Sequence, residues 1–423
     1  MNRLSTLLVI SALTLTGVAL LGTKSAQAQT FTIIYAFTGQ NDGYRPYAGL
    51  TLDRAGNLYG TTTEDSGPGT VFQLKRTGGN WNLTTLGFTD GIPSGRVVFG
   101  PHGTLYGTTN EGGSGGCQFG CGTVYSLQQT PACINCPWTM TVLYSFTGGA
   151  DGSGPYAVDL VFDQAGDLYG TTAGGGSVGH GVVFKLTPSG SGWTESVIHD
   201  FSGAEGIFPA SGVIFDGAGN LYGTTERGGA FGKGTVYRLA RSGSAWVEST
   251  LYSFQGGTDQ GFPVGGLLFD RSGNLYGTTT GGGGGSGPGG TVFELSPSGE
   301  NWIFHLLYAW GGIVGGGPQG NLAMDAEGNL YGATSGDGAY GEGSVFKLAP
   351  FSGGWSFTDL HDFTGFTGGI THVRGDGAGP TGGVILDANG NVYGTTAYGG
   401  IFGESCENGG GGYGCGVVWQ ITP

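Results

Sequence analysis

Gly212-Val213-Ile214-Phe215-Asp216, Gly217-Ala218-Gly219-Asn220, Leu221-Tyr222-Gly223-Thr224-Thr225: an apolar run, a turn and a second β-rich run. The last five residues recur along the chain. They stand unchanged from Leu58, Leu105, Leu168 and Leu275. They vary once each in Leu330-Tyr331-Gly332-Ala333-Thr334 and Val392-Tyr393-Gly394-Thr395-Thr396. Successive copies start 47 to 63 residues apart. A period in that range signals a propeller, a solenoid or an array.

The rest of the unit follows from its punctuation. Glu226 to Lys233 is a Gly-rich loop, Gly234 to Leu239 a third strand, Arg241 to Ser244 a polar turn and Trp246 to Phe254 a fourth strand. Four short β-rich runs joined by Gly-rich turns make one antiparallel sheet per repeat. We name the strands a, b, c and d. Six d strands open with a tryptophan (Trp81, Trp138, Trp193, Trp246, Trp302, Trp355), and the seventh repeat has none. The missing strand is at the other end, where Phe31 to Phe37 matches the second half of a d strand. Pairing it with the last c strand removes two open sheet edges. The expected fold is all-β: a seven-bladed β-propeller of four-stranded antiparallel blades, closed by the N-terminal strand.

Side-chain alternation places Tyr and the first Thr of each b strand against one neighbouring blade, and Leu, Gly and the second Thr against the other. Between a and b, Asp-x-x-Gly-Asn reads as a turn in which Asp accepts bonds from its own loop and Gly supplies positive φ. This Asp recurs as Asp53, Asp163, Asp216, Asp270, Asp325 and Asp387, with Gly100 in the second repeat. A metal-ligand role is not needed to explain it.

Composition agrees. The 423 residues include 96 glycines and 16 prolines, which without periodicity would suggest low complexity. Here the glycines punctuate apolar runs, and aromatics reach 12%. Residues 1–28 read as a signal peptide: Arg3, an apolar stretch from Leu7 to Leu21, and Ala26-Gln27-Ala28 as the cleavage site. Residues 29–423 are then one propeller domain, with no further segment expected to enter a membrane. A net charge of −15 disfavours a nucleic-acid backbone as partner. The reading is an exported, extracytoplasmic monomer.

Asp-x-x-Gly-Asn-Leu-Tyr-Gly-Thr-Thr, then Gly-Gly, then Gly-Thr-Val-Phe/Tyr-x-Leu (as in Gly69 to Leu74 and Gly234 to Leu239) resembles the GloVer tandem repeat of exported bacterial proteins. The resemblance spans essentially the whole chain after the signal. It implies export and a β-propeller, and it supplies no catalytic residues. Members carry varied C-terminal anchors; Ile421-Thr422-Pro423 matches none of them.

In a propeller the b–c loops and the d-to-a crossings share one face. Cys117 and Cys121 lie in one b–c loop and Cys406 and Cys415 in another, while Cys133 and Cys136 lie in a c–d insertion on the opposite face. Bridged Cα atoms must be within about 7 Å, and a c strand separates the faces by roughly 20 Å. The expected bonds are therefore local: Cys117–Cys121, Cys133–Cys136 and Cys406–Cys415. A redox or zinc role for Cys133-Ile134-Asn135-Cys136 lacks a helix N-terminus or an adjacent second pair.

Six crossings carry an acid near a glycine, each followed by a proline: Asp42, Asp90, Asp151, Glu205, Asp259 and Asp376. These are the candidate ligand-binding residues. They read either as tight turns with a rigid exit or as an acidic ring at the channel mouth, able to hold a polar ligand or a hard cation such as Ca²⁺. No catalytic motif and no metal-spaced histidine pair stands out. His199 and His361 replace the d-strand tyrosine and read as packing residues, His102 sits in an a–b turn, and His180 and His372 share the acidic face. Propellers host many functions. The first expectation is a non-catalytic binding or scaffold protein. It would present Phe119, Phe231, Tyr340, Tyr398 and Tyr413 to a glycan or protein. The alternative is a propeller enzyme of lactonase, lyase or glycosidase type using channel-mouth carboxylates.

Overall fold

The computed structural model describes residues 29–63, 68–129, 138–190, 192–281, 289–311, 316–365, 375–400, 406 and 414–423. The signal segment, Cys133, Cys136, His372 and Tyr413 lie outside them.

Seven four-stranded antiparallel sheets follow one another along the chain. In the fourth, a is Ile214–Phe215, b is Leu221–Thr225, c is Thr235–Ser242 and d is Ala245–Ser253. The seventh takes a (Ile385–Leu386), b (Val392–Thr396) and c (Val417–Thr422) from the C-terminus, and its outer strand is Thr30–Ala36. Thr30 pairs with Thr422 and Ala36 with Val417, with a bulge between Ile33 and Tyr35. Every other c–d pair has its bulge at the corresponding place, as between Val236 and Tyr237. The N-terminal strand is therefore the d strand of blade 7, in the same register as the rest.

Two boundaries differ from the sequence expectation. The polar turn is shorter than Arg241 to Ser244: Ser242 pairs with Ala245, leaving a two-residue loop whose Gly243 has φ 65°. Such a tight hairpin turn needs positive φ. The a strand is only two residues long, because the run before it faces the propeller axis rather than its own sheet. A Cβ on Gly212 would stand 2.1 Å from the Asp159 carbonyl oxygen of blade 3.

The core is divided among the seven gaps between blades. Tyr222 and Val236 of blade 4 pack with Leu267, Leu275 and Phe293 of blade 5. Tyr393 and Val418 of blade 7 pack with Leu50, Leu58 and Phe72 of blade 1. The b-strand alternation is as expected. Tyr222 meets the next blade's Phe269 edge-to-face at 5.0 Å, and Thr224 Oγ1 donates to Gly265 O of that blade. The second Thr pairs with the c strand, as in Thr225 with Thr235 at 2.8 Å. The a–b turns also follow the sequence reading. Asp216 Oδ1 accepts from the Ala218 and Asn220 amides, and Oδ2 from Asn220 Nδ2 and the Tyr222 hydroxyl. Gly219 has φ 85°. With both oxygens engaged, this Asp is a turn residue. In blade 2, Gly100 precedes a 3-10 turn, Pro101–Gly103, in which His102 has φ 60°.

Candidate functional site

The crossings and b–c loops do share a face. Isolated bridges tie six crossings to the end of their own blade's b strand or the start of its b–c loop, as Tyr44 to Thr63, Pro93 to Thr109 and Ile207 to Arg227, and in the fifth Thr280 N donates to Phe262 O. The far end of five of the loops holds the next crossing: Gly154 N donates to Cys121 O, Phe208 N to His180 O, Phe262 N to Lys233 O, Gly379 N to Glu342 O, and Arg45 N to Cys415 O. Two of these anchor points are disulfide-bonded. Cys117–Cys121 and Cys406–Cys415 form as expected, with Cα atoms 5.2 and 5.4 Å apart.

The crossing acids are bonded inside their own turns. Asp42 is buried and accepts from the Tyr35 hydroxyl (2.9 Å), the Thr38 amide (2.8 Å) and the Thr38 hydroxyl (2.7 Å). Asp151 repeats this with Tyr144 and Thr147. Asp259 is buried and takes Tyr252 and the Gln255 amide. Burial alone would raise the Asp151 carboxyl, but these donors hold it below the usual carboxylate range. Burial, assisted by the acid it bonds, pushes the Tyr35 and Tyr252 hydroxyls up.

His199 and His361 do more than pack. His361 Nε2 lies 2.9 Å from Asp376 Oδ2 while its ring stacks on Phe31 at 3.6 Å. His199 Nε2 lies 3.7 Å from Glu205 Oε1. Burial lowers the His199 pKa against the pull of Glu205 and Asp200. Asp90 is the exception. Gly87 occupies the tyrosine register opposite Val71, and Asp90, exposed, accepts only the Gly113 amide, at 3.1 Å, among the described residues. None of the six acids shares a hydrogen bond with another. Among the described residues, no three His, Cys, Asp or Glu side chains gather as a cation cage.

The polar groups that do converge were not singled out in the sequence. The residue four before each turn Asp faces the central channel, as do those two before and two after it. At that position stand Gly49, Arg96, Asp159, Gly212, Gly266, Asn321 and Gly383. The three side chains meet across the axis. Arg96 Nη2 is 2.8 Å from Asp159 Oδ2, Asn321 Nδ2 donates to Asp159 Oδ2 at 2.8 Å, and Asn321 Oδ1 accepts from Gly266 N at 2.6 Å. Blades 2, 3, 5 and 6 are thereby joined. The glycines allow it: Cβ atoms on Gly266 and Gly383 would stand 2.8 and 2.9 Å from Asn321 atoms. Toward the crossings the wall is mostly polar, with Tyr47, Ser94, Gln319 and Thr381. Away from them it is apolar, with Val161, Ile214, Leu268 and Ile385. The channel cavity holds about 550 Å³. The signal in the sequence was the variable column of an otherwise repeated phrase.

Around this channel the face exposes Phe119, Tyr156, Phe208, Phe231 and Tyr340. Tyr398 is half-buried and bonds Tyr47 hydroxyl to hydroxyl at 2.8 Å. Arg227 lies over Phe208, and Lys233 over Phe262. Arg45, Phe208 and Phe262, each just before a proline, have φ between 53° and 58°, a region that costs non-glycine residues about 1–3 kcal/mol.

Fold and repeat together define a seven-bladed, tandem-repeat β-propeller. The chain belongs to the Gloeobacter/Verrucomicrobia repeat family, whose profile matches residues 114–314 and 247–423. No curated protein matches it. Among solved structures, an ancestral GH74 enzyme aligns with a TM-score of 0.54 and 13% identity, over 90% of this chain and 48% of that one. A protein assigned as a 6-phosphogluconolactonase from Bacteroides uniformis aligns with a TM-score of 0.50 and 13% identity, over 75% of this chain and 84% of that one. At these identities the likeness shows the fold alone.

Proposed function

We propose that this protein is an extracytoplasmic, non-catalytic binding or scaffold propeller that recognises a glycan or protein ligand on the crossing face. The observation that carries the reading is where its exposed aromatics lie. Of the seven exposed aromatic rings among the described residues, Phe119, Tyr156, Phe208, Phe231 and Tyr340 sit on loops of that face, against Phe88 at a d-strand end and Phe351 at a c–d turn; exposed rings gathered on one face, rather than scattered singly, mark a partner surface. The loops presenting them are pinned to their neighbours by the repeated loop-to-crossing bonds, so little ordering entropy is lost on binding.

The enzyme alternative requires an acid that the fold does not already use. Five of the six crossing acids are engaged by their own turns, which supports the binding reading. The test is a glycan array probed with the wild type and with Phe119→Ala/Phe231→Ala/Tyr340→Ala. Signal from the wild type, lost in the folded triple variant, is expected. Turnover of lactone or β-glucan substrates by the wild type would instead establish the enzyme. The disulfides suit an oxidising compartment, and N-terminal sequencing of the exported protein is expected to begin at Gln29.

A further inference from the structure

We propose that the Arg96–Asp159–Asn321 layer is the floor of a binding site in the central channel for a neutral, hydroxyl-rich ligand, a sugar residue. This inference rests on the crossing-face reading and carries it inward.

The chemistry of the layer selects the ligand. Asp159 is the one carboxylate in it, and both Arg96 and Asn321 bond its Oδ2. The Arg96 and Asp159 charges cancel, so the layer has no net charge. A cation would have to displace Arg96. An anion would enter a protein of net charge −15 and displace Asp159. A neutral ligand displaces neither. A guanidinium carries five N–H donors. Arg96 Nη2 reaches Asp159 and the Arg96 side chain stays 32% exposed, which leaves guanidinium donors open to a ligand; Nε is covered, with no hydrogen-bond partner among the described residues. Asp159 Oδ1 takes the Arg96 amide and Asn321 Oδ1 the Gly266 amide, so what they add for a ligand is the second lone pair of each oxygen and the second N–H of Asn321 Nδ2, in fixed directions. Vicinal hydroxyls, each both donor and acceptor, complement that set.

The shape agrees. The cavity of about 550 Å³ falls within the roughly 300–1,000 Å³ of small-ligand sites. Its wall changes from polar near the crossings to apolar beyond the layer, which suits a sugar's hydroxyl edge and its C–H face. Close glycine contacts around the axis hold the layer in place, so the site is preformed.

Glycine occupies this position in four repeats, so Arg96→Gly and Asn321→Gly each install a residue the fold already accommodates. Cellobiose, maltose and chitobiose, with digalacturonate as the charged comparison, are titrated by calorimetry and saturation-transfer NMR. At least one neutral disaccharide is expected to bind the wild type. Each variant should weaken it at least tenfold while keeping a cooperative melt. Unchanged affinity in both melted-as-folded variants overturns the proposal, as does binding of digalacturonate alone or of none of the four. If the Phe119/Phe231/Tyr340 variant abolishes array binding while both glycine variants retain it, the face reading stands and the channel site falls.

Discussion

Glu195 lies half-buried on the d strand of blade 3, with Oε1 lacking a hydrogen-bond partner among the described residues. Burial, with Asp151 nearby, pushes its carboxyl up from 4.5 to about 7. The folded state therefore binds more protons than the unfolded chain between these values, and this group's contribution to stability falls as pH rises from 4.5 to 7. Glu195→Gln is expected to melt about 1–3 °C above the wild type at pH 8, with no gain at pH 4. Thermal melts at the two pH values check it; an equal shift at both would contradict the burial argument. Asp151 has the opposite sign: its carboxyl is lowered, so its contribution holds above pH 3.8 and is lost as pH falls below. Phe304 and Phe357, which follow their tryptophans at the same spacing as Glu195, stack on Tyr252 and Tyr308 of the preceding blade; Leu83 and Met140 hold the place in blades 1 and 2, and blade 4 shares the acid as Glu248.

At the scale of the element, the crossing is a proline-terminated turn closed by an acid. Removing the acid leaves a tyrosine hydroxyl, an amide and a threonine hydroxyl without their acceptor. Asp42→Ala is expected to cost about 1–3 kcal/mol. Asp90→Ala, at an exposed residue with one amide partner, should stay within about 0.5 kcal/mol. Urea denaturation of both variants separates them, and equal losses would deny the turn-lock role. The sequence showed this element well: Asp-Gly and proline at fixed offsets are local chemistry. It did not show that the d-strand Tyr or His is the acid's partner, because that contact joins residues seven or fifteen apart through a bulged strand. Arg96, Asp159 and Asn321 were less legible still. Asn321 and Asp159 are 162 residues apart, and only ring closure brings their blades to one axis.

At the scale of the molecule, seven inter-blade cores of similar make-up form one ring, and the last gap is filled only because Thr30–Ala36 returns to blade 7. Cys406–Cys415 lies beside the closure, where Phe37 N donates to Gly416 O and Arg45 N to Cys415 O. A chain starting at Thr38 leaves the Val417–Thr422 edge unpaired, an invitation to pair with other chains. It is expected to melt at least 10 °C lower and to self-associate, as read by calorimetry and light scattering. An unchanged monomeric melt would mean that the ring does not depend on this strand. The fold was legible because each blade repeats the same local pattern. Function was not, since the residues that set one blade apart from another, such as Phe119, Arg96 and Asn321, sit where the repeats diverge.

The central claim is that recognition takes place on the crossing face. Hydrogen exchange of the wild type, free and saturated with the strongest glycan from the array, tests it most directly. The account predicts slowed exchange in the b–c loops around Phe119, Phe231 and Tyr340 and in the a segments around Arg96 and Asn321. Protection confined to the c–d turns of the opposite face, such as Gly243-Ser244, would contradict it.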